Sequence, residues 1–479
     1  MVLREKMVRN KLLFSTIVIG SFCLNIFLLS GVYAASYCSA HFSTSSVLDA
    51  DSANDGYEEV QPQLVTDGKG VWITAWQHQM DPTNILGGRI PSFVVLKRSI
   101  DNGSTWQDMQ WISTDVNSNS VLPRLATNQQ GEWVLAWVDA GTRVHSLIGD
   151  VFFSHSSDNG KTWSIPKRIN SFAATDSRYF TVDAVDFGSH AWIISGTYQY
   201  QGVSSVYFFR STDNGQTWIG PQYIDHSSGT SKVYVSMETS HAGQWVAAWT
   251  SYDPSNAFSD NKIMVSTSGN DGQSWNTPKE LGFKERARAF VGDLKYSRSS
   301  GFWVMVWDSE KNLDDPTKNN VRSNIVYSYS HDNGTTWSTP AWLYGDVLNS
   351  TEDVNPRLYT DSTGSMSCAW YHTSNNSSGT IGTDAWIYQS CSPNYGVSWW
   401  TPSDLNRTMQ LHVLIDQPPA MAMGNDTKVI AVWSTEHNAD ESAGNLSNLF
   451  WSRTAIPGTE PVTGRLNSGI SLLLLGDKK

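Results

Sequence analysis

An eight-residue pattern recurs six times along this chain and constrains the fold more than any other feature. The copies read SIDNGSTW, SSDNGKTW, STDNGQTW, SGNDGQSW, SHDNGTTW and SPNYGVSW. Their glycines lie 55 to 62 residues apart, at Gly103, Gly160, Gly215, Gly272, Gly334 and Gly396. A steady period of this length indicates an array of equal structural units.

Each unit contains four short segments rich in β-forming residues. In one unit they read PRLAT, EWVLAW, VFFSHS and IPKRIN, and the repeated pattern lies between the third and the fourth. The second segment occurs seven times, once more than the pattern. Alternating apolar residues between turn residues predict a four-stranded antiparallel meander. Units of this size and kind stack radially, so the sequence predicts an all-β fold of the β-propeller type.

The number of blades follows from the two ends of the repeat region. The seventh unit stops after its third strand, NLFWSRTAI, while the N-terminal stretch FSTSSVLDADSANDGYEEVQPQL aligns with WISTDVNSNSVLPRL. Residues 42–49 are therefore predicted to supply the missing fourth strand and to close the ring, which removes open sheet edges. We expect a seven-bladed propeller over residues 35–456, with six blades and a divergent end as the alternative.

The repeated pattern resembles the Asp-box, or BNR repeat, of the sialidase/neuraminidase-like β-propeller superfamily over about residues 42–456. In such a hairpin the acidic or amide side chain accepts turn amides, the glycine permits positive φ, and the tryptophan packs the tip. This structural role is assigned to Asp101, Asp158, Asp213, Asn270, Asp332 and Asn394. In sialidases the boxes lie opposite the active site. The resemblance therefore places the site on the face of the second–third loops and inter-blade links.

The N-terminus has the pattern of a secretion signal. Four basic residues precede the apolar stretch LLFSTIVIGSFCLNIFLLSGVYA, and Val32 and Ala34 fit the positions before a signal-peptidase cut. The sequence predicts a signal peptide over residues 1–34 and a secreted, cell-surface or periplasmic protein. An uncleaved membrane anchor is the alternative. Residues 457–479 are an appended tail, and no segment after cleavage is long enough to span a bilayer.

Charge narrows the range of ligands. The chain has a formal charge of −12, and signal removal takes away more basic than acidic residues. This excludes nucleic acid as the expected partner, since phosphates need a basic surface. An anionic ligand would need a local arginine cluster. We expect a glycan or glycoprotein ligand, no cofactor and no metal, and the sequence does not fix the oligomeric state.

Two of the cysteines fall on predicted neighbouring strands of one unit, Cys368 and Cys391. We predict a disulfide between them, with two buried thiols as the alternative.

Arginines recur where inter-blade links enter the innermost strands, which line the axis of a propeller. The candidate substrate-binding residues are Arg124, Arg178, Arg288 and Arg357, and Arg286 adjoins one of them. Guanidiniums from separate blades suit a carboxylate, which they bind through paired hydrogen bonds. The resemblance implies a similar arginine triad for sialic acid. In the alternative, each arginine pairs with a nearby acid, among them Asp115, Asp176, Glu285 and Asp353.

The resemblance also implies a tyrosine nucleophile with a glutamate partner and an aspartate acid/base. Asp139 and Asp308 are candidate acids, and Glu310 and Glu436 are candidate partners. The candidate nucleophiles are Tyr371, Tyr198 and Tyr252.

The chain also departs from the sialidase pattern. The family's arginine motif lies on the first innermost strand, which here reads VQPQLVT, while RIP occurs at residues 89–91 in a second–third loop. Sialidases also usually have six blades.

The sequence leaves two functions open. The first is a secreted sialidase-like exo-glycosidase that releases sialic acid or a related acidic sugar from glycans. The second is a non-catalytic extracellular propeller that binds glycans or proteins. The 22 tryptophans do not decide between them, because pairs such as Trp72 and Trp76 share one strand face and are predicted to pack between blades.

Overall fold

Seven antiparallel sheets form the seven blades of a β-propeller in the computed structural model. Contacts between innermost strands run from each blade to the next and return from the seventh blade to the first. The structure describes residues 46–48, 57–80, 91–115, 119–141, 149–170, 179–256, 261–281, 287–313, 319–345, 351–360, 364–375, 381–404, 419–424, 428–435 and 448–454. The predicted signal peptide and C-terminal tail lie outside these residues.

The first three blades each run from an innermost strand at the axis to an outer edge strand. Blade 1 contains β2 (Tyr57–Thr66), β3 (Trp72–Met80), β4 (Ser92–Ser99) and β5 (Gln110–Trp111). Blade 2 contains β6 (Ser120–Thr127), β7 (Trp133–Asp139), β8 (Asp150–Ser156) and β9 (Lys167–Arg168). Blade 3 has its innermost strand split into β10 (Tyr179–Phe180) and β11 (Ala184–Phe187), followed by β12 (Trp192–Tyr200), β13 (Val203–Ser211) and β14 (Ile219–Asp225).

The remaining blades follow the same order. Blade 4 contains β15 (Ser231–Thr239), β16 (Trp245–Tyr252), β17 (Lys262–Ser268) and β18 (Lys279–Glu280), with a short 3-10 helix at Pro254–Asn256. Blade 5 contains β19 (Ala289–Tyr296), β20 (Trp303–Lys311), β21 (Asn319–Ser330) and β22 (Ala341–Tyr344). Blade 6 contains β23 (Thr351–Thr360), β24 (Met366–Asn375), β25 (Ile381–Ser392) and β26 (Ser403–Asp404). Blade 7 contains β27 (Ala420–Met423), β28 (Val429–Thr435), β29 (Asn448–Arg453) and, from the N-terminal end, β1 (Ser46–Val47).

The seventh blade is closed by the N-terminal strand, as the sequence predicts. Strand β1 pairs antiparallel with β29, with Ser46 opposite Trp451 and Val47 opposite Phe450. The amide of Leu48 adds a 2.8 Å hydrogen bond to the carbonyl oxygen of Leu449. The prediction of seven blades is confirmed, and the six-bladed alternative is wrong.

The six repeated hairpins share one hydrogen-bond pattern. In the first, the Asp101 carboxylate accepts the Thr105 amide at 2.9 Å, the Thr105 hydroxyl at 2.7 Å and the Ser99 hydroxyl at 2.8 Å. The corresponding amide donates to the side chain in all the other copies, at Asp158, Asp213, Asn270, Asp332 and Asn394. Although burial raises its pKa, the bonds from Thr105 and Ser99 lower the pKa of Asp101 overall.

The cores of the propeller lie between blades. Trp72 and Trp76 pack against Ile430 and Val432 of blade 7, while Ile73 on the other face of β3 packs against blade 2. The box tryptophans join these inter-blade cores; Trp163, for example, joins the core between blades 1 and 2. Each hairpin therefore packs against the preceding blade and is also stabilised by its own hydrogen bonds.

The predicted disulfide between Cys368 and Cys391 is wrong. Cys368 is a buried free thiol, and Cys391 is in a disulfide with a different residue. In the ladder between β24 and β25, Cys368 lies opposite Ser390, whereas Cys391 lies opposite Ser367. Because neighbouring residues of a strand point to opposite faces, the two sulfur atoms lie on opposite sides of the sheet. Burial raises the pKa of the Cys368 thiol well above its usual value.

Among the described residues, no helix is long and apolar enough to cross a membrane.

Candidate functional site: the central channel and its mouth

The innermost strands surround a cavity of about 410 Å³ on the propeller axis. We call the face of the second–third loops and inter-blade links the loop face, and the opposite face, which carries the Asp-box hairpins, the box face. The cavity lining extends from residues near the loop face, such as Pro62 and Tyr234, to residues of the turns on the box face, such as Gln129 and Arg298. Cavities of about 300–1,000 Å³ are typical of small-ligand sites. The channel is therefore large enough to hold a small ligand.

Two of the arginines singled out in the sequence lie in this channel. Arg124 on β6 and Arg357 on β23 each follow a β-bulge and pair with the alanine before a second-strand tryptophan, Ala136 and Ala369 respectively. The two positions are equivalent in blades 2 and 6. The bulge sets this register, so both side chains project from the innermost strand at the same depth.

The two guanidiniums are held by carbonyl oxygens. Arg124 Nε donates to the Asp183 carbonyl oxygen at 3.0 Å, and Nη1 donates to that of Pro123 at 2.9 Å. Arg357 Nη1 donates to the carbonyl oxygen of Gly292. Within the described part of the chain, no carboxylate forms an ion pair with either guanidinium. The alternative in which each arginine pairs with a nearby acid therefore does not describe these two.

The charges of the two arginines interact. Burial lowers the pKa of Arg124 to about 10; Asp183 opposes this shift and Arg357 adds to it. Both arginines line the same cavity, and the charge of Arg357 acts on Arg124, although the opposite charge of Asp183 has the larger effect.

The two carboxylates of this region are satisfied by other donors. Asp293 accepts the Ser236 hydroxyl at 3.2 Å and the amides of Leu294 at 2.8 Å and Leu358 at 3.0 Å. Asp183 accepts the Val235 amide at 3.4 Å, and burial raises its pKa. The carboxylates therefore bind strand groups, while each guanidinium retains N–H groups without a hydrogen-bond partner among the described residues.

A second layer of charge lies nearer the box face. Lys295 Nζ is 3.0 Å from Glu238 Oε2, and although burial opposes it, Glu238 raises the pKa of Lys295. Burial and the nearby Glu238 raise the pKa of Asp186 to about 8. These three residues were not among those predicted from the sequence. The available signal was a charged residue at the position before the last in the innermost strands of three consecutive blades.

Arg288 lies at the mouth of the channel instead of within it. Its guanidinium is 3.8 Å from Glu310 and 4.0 Å from Glu352. Glu352 is also 3.3 Å from Arg322. Arg288 therefore pairs with nearby acids, as the alternative interpretation of the arginines predicts. Arg178 and Arg286 lie outside the described residues, as does Arg89.

Asp308 lies beside this mouth cluster. It is 3% exposed and accepts the Asn355 amide from blade 6 at 3.4 Å. Burial raises its pKa to about 7, with opposing effects from Asn355 and Arg288 and smaller raising effects from Glu352 and Glu310. Asp308 pairs with Phe290, and the Glu310 amide bonds to the Arg288 carbonyl oxygen, so these side chains share one sheet face. A carboxyl group with this pKa can donate a proton near neutral pH.

The other candidate catalytic residues lie apart from Asp308. Asp139 accepts the Gly141 amide at 2.7 Å in the loop that follows β7. Tyr371 is buried in the core between blades 6 and 7, and Tyr198 is buried in the core between blades 2 and 3. Tyr252 is half-buried at the end of β16. Glu436 lies outside the described residues.

A tryptophan–acid–histidine arrangement that was not predicted from the sequence occurs in two blades. In blade 6, Asp353 accepts Trp370 Nε1 at 2.8 Å and contacts His372 Nδ1 at 2.8 Å. In blade 1, Glu59 contacts Trp76 Nε1 and His78 Nδ1 in the same way. The sequence pattern that indicates this arrangement is Trp-x-His, which occurs in the second strands of blades 1 and 6. Since Asp353 contacts His372, it is not an arginine partner.

Among the solved structures that resemble this fold, a Hadza microbial sialidase is 16% identical, with a TM-score of 0.44. The match covers 65% of this chain and 63% of that chain, so it spans less than two thirds of the sialidase. A NanB sialidase variant from Streptococcus pneumoniae is 11% identical, with a TM-score of 0.45 and coverage of 77% and 71%. An ulvan lyase of a polysaccharide lyase family is 10% identical, with a TM-score of 0.48 and coverage of 82% and 93%.

These similarities concern the fold and carry no information on the activity of this chain. No curated protein matched the sequence. The family model described as the BNR repeat-like domain matches residues 91–352, more than half of the chain. The chain therefore belongs to the BNR repeat-like domain family.

Proposed function

We propose that this chain is a sialidase-like propeller that binds the acidic sugar of a glycan in its central channel. The observation that supports this is that Arg124 and Arg357 line one cavity, without an ion pair to any described carboxylate. Guanidinium groups bind carboxylates through paired hydrogen bonds, and burial strengthens such contacts. A carboxylate ligand would also relieve the repulsion between the two arginines.

The binding test uses isothermal titration calorimetry with N-acetylneuraminic acid, the sugar suggested by the family resemblance. The purified protein should bind it, and Arg357→Ala and Arg124→Ala should each weaken binding by about 10- to 100-fold, the usual effect of losing a charged hydrogen bond. Arg168 provides the control, because it is a surface arginine paired with Asp150 at 3.0 Å. Arg168→Ala should bind as the unmodified protein does. Binding that survives both channel substitutions would contradict the proposal.

Hydrolysis of the bound glycan is the second candidate function, and Asp308 is the observation that favours it. A carboxyl group with a pKa raised to about 7 is suited to protonate a leaving group, and Glu310 is close enough to affect that pKa. The test is turnover of a fluorogenic sialic acid glycoside by the purified protein and by Asp308→Asn. Turnover that the substitution abolishes supports an exo-glycosidase. A folded protein that binds the sugar without cleaving the glycoside is the non-catalytic glycan-binding propeller.

Export is part of the proposal, since an extracellular protein would meet such glycans. The signal-like residues 1–34 support it. Expression of the full chain in a secreting host, followed by N-terminal sequencing, should yield a mature protein that begins at Ala35. Recovery of uncleaved protein in the membrane fraction would instead support an anchor.

A further inference from the structure

Tyr234 is an exposed tyrosine in a strained backbone conformation at the edge of the channel. Its φ angle is +54° and 53% of its surface is exposed. A bulky residue with positive φ is uncommon, and such residues concentrate at functional sites. The ring lines the cavity, and its hydroxyl has no hydrogen-bond partner among the described residues. The fold therefore holds this side chain in place without using its polar group.

The same bulge occurs in other blades with different side chains. Gln61, Leu122 and Asn355 have φ angles of +57°, +57° and +55° at the equivalent bulges of blades 1, 2 and 6. Leu122 packs against the core between blades 2 and 3. Among these four positions, only Tyr234 is exposed. The bulge explains the backbone angle, but it does not explain why an exposed aromatic ring occupies it.

The surroundings of Tyr234 form an aromatic and cationic surface. Its ring lies 5.0 Å from that of Phe290 at 61°, and the Arg288 guanidinium lies 5.4 Å from the centre of the Phe290 ring. Contact with Phe290 of the next blade fixes the position of the tyrosine ring. With 53% of its surface exposed, Tyr234 remains accessible beside the channel despite this contact.

The distance to the arginine pair fits one further sugar unit. Ser236, two residues along β15, occupies the strand position equivalent to Arg124 and Arg357. The bulge places three residue steps of β15, from Val233 to Ser236, opposite only two steps of β16, so Tyr234 lies about 4–5 Å nearer the loop face than the arginines. A sugar bound by its carboxylate at the arginines would place its neighbour in the chain at this height.

We propose that Tyr234 stacks on the second sugar of an oligosaccharide whose terminal acidic sugar occupies the channel. A pyranose ring carries a patch of C–H groups that packs well on the electron-rich face of an aromatic ring. The acidic end of the ligand would then lie inside the channel, and the rest of the sugar chain would extend out of the channel past Tyr234. This inference rests on the proposed function and names its ligand as an acidic-ended oligosaccharide.

The test compares N-acetylneuraminic acid with α2,3-sialyllactose by calorimetry. The unmodified protein should bind the trisaccharide about tenfold more tightly. Tyr234→Asn should remove this gain, so that the trisaccharide binds no more tightly than the monosaccharide. Asparagine already occupies the equivalent bulge at Asn355 and tolerates positive φ, so the melting temperature of the variant should stay the same or rise. A binding loss together with retained stability would separate recognition from folding.

Two further variants sharpen the result. Tyr234→Trp should keep the trisaccharide preference, because an aromatic face remains. Tyr223→Ala should also keep it, because Tyr223 is an exposed tyrosine on the outer strand β14. If Arg357→Ala removes binding of both sugars but Tyr234→Asn retains the trisaccharide preference, the Tyr234 inference is wrong and the channel proposal stands. If the unmodified protein binds neither sugar, both are wrong.

Discussion

Gly160, in the hairpin of blade 2, lies directly against the side chain of Ile73 in blade 1. A Cβ atom at position 160 would overlap Ile73 Cδ1, and the glycine has a φ angle of +76°. The other five box glycines face a second-strand side chain of the preceding blade in the same way. Each copy of the repeated sequence pattern therefore also provides a packing contact with the preceding blade.

We predict that Gly160→Ala destabilises the protein more than a comparable substitution elsewhere. Positive φ costs an alanine about 1–2 kcal/mol, and the overlap with Ile73 adds about 1–3 kcal/mol. Gly202 provides the control, because its φ is +80° but a Cβ atom added there would meet no other atom within 4 Å. Urea unfolding should show the larger loss for Gly160→Ala. Equal losses in the two variants would mean that the contact with Ile73 has no energetic role.

Closure of the ring by the N-terminal strand predicts unequal effects at two adjacent residues. Leu48 is 4% exposed and packs between blades 7 and 1, whereas Val47 is 49% exposed. Leu48→Ala should cost about 2–5 kcal/mol because it leaves a cavity in that core, while Val47→Ala should change stability by less than about 0.5 kcal/mol. Thermal unfolding of the two variants checks the difference. A loss at Leu48 no greater than at Val47 would contradict closure by this segment.

The buried Asp353 should be more important for stability than an exposed ion pair. Asp353→Ala leaves Trp370 Nε1 and His372 without their acceptor, and breaking such a buried pair costs about 3–5 kcal/mol. Arg168 pairs with Asp150 on the surface, so Arg168→Ala should cost at most about 1 kcal/mol. Denaturant unfolding compares the two. Similar small losses would show that the histidine and tryptophan find other partners.

The raised pKa of Asp308 predicts a stability loss as pH rises from about 4 to 7. In that window the unfolded chain has released this proton while the folded protein still holds it, so unfolding is favoured increasingly with pH. In Asp308→Asn the unfolding free energy should fall less steeply as pH rises. The difference should be about 1.4 kcal/mol per pH unit, which corresponds to about one proton. Chemical denaturation at pH 5, 6 and 7 measures it. An unchanged slope would mean that Asp308 is already ionised in the folded state.

The two described cysteines should react under different conditions. Because Cys368 is a buried thiol, iodoacetamide should modify it only after unfolding. Cys391 should require reduction as well, because it is disulfide-bonded. Peptide mass mapping without reduction distinguishes the two residues. A cross-linked peptide that contains both would contradict the structure.

The sequence predicted the ring because local patterns encode it. The box copies, the alternating strands and the unfinished seventh unit each follow from short-range chemistry, namely turn geometry, strand pleat and unpaired edges. The N-terminal stretch was identified as the closing strand because its sequence aligns with a later inter-blade segment. The same strand pattern placed Arg124 and Arg357 on innermost strands, which always face the axis.

Only the tertiary structure decided which side chains meet. Arg124 and Arg357 are 233 positions apart, and whether an acid neutralises them depends on the depth and register of several blades. The sequence did not place Arg288 beside Glu310 and Glu352, nor Asp308 beside blade 6. The contacts with Glu352 and with blade 6 cross a blade boundary. It also placed Cys368 and Cys391 on adjacent strands but could not fix a register in which they face opposite ways. A one-residue change of register moves every side chain to the other face, and only the assembled ring selects one register.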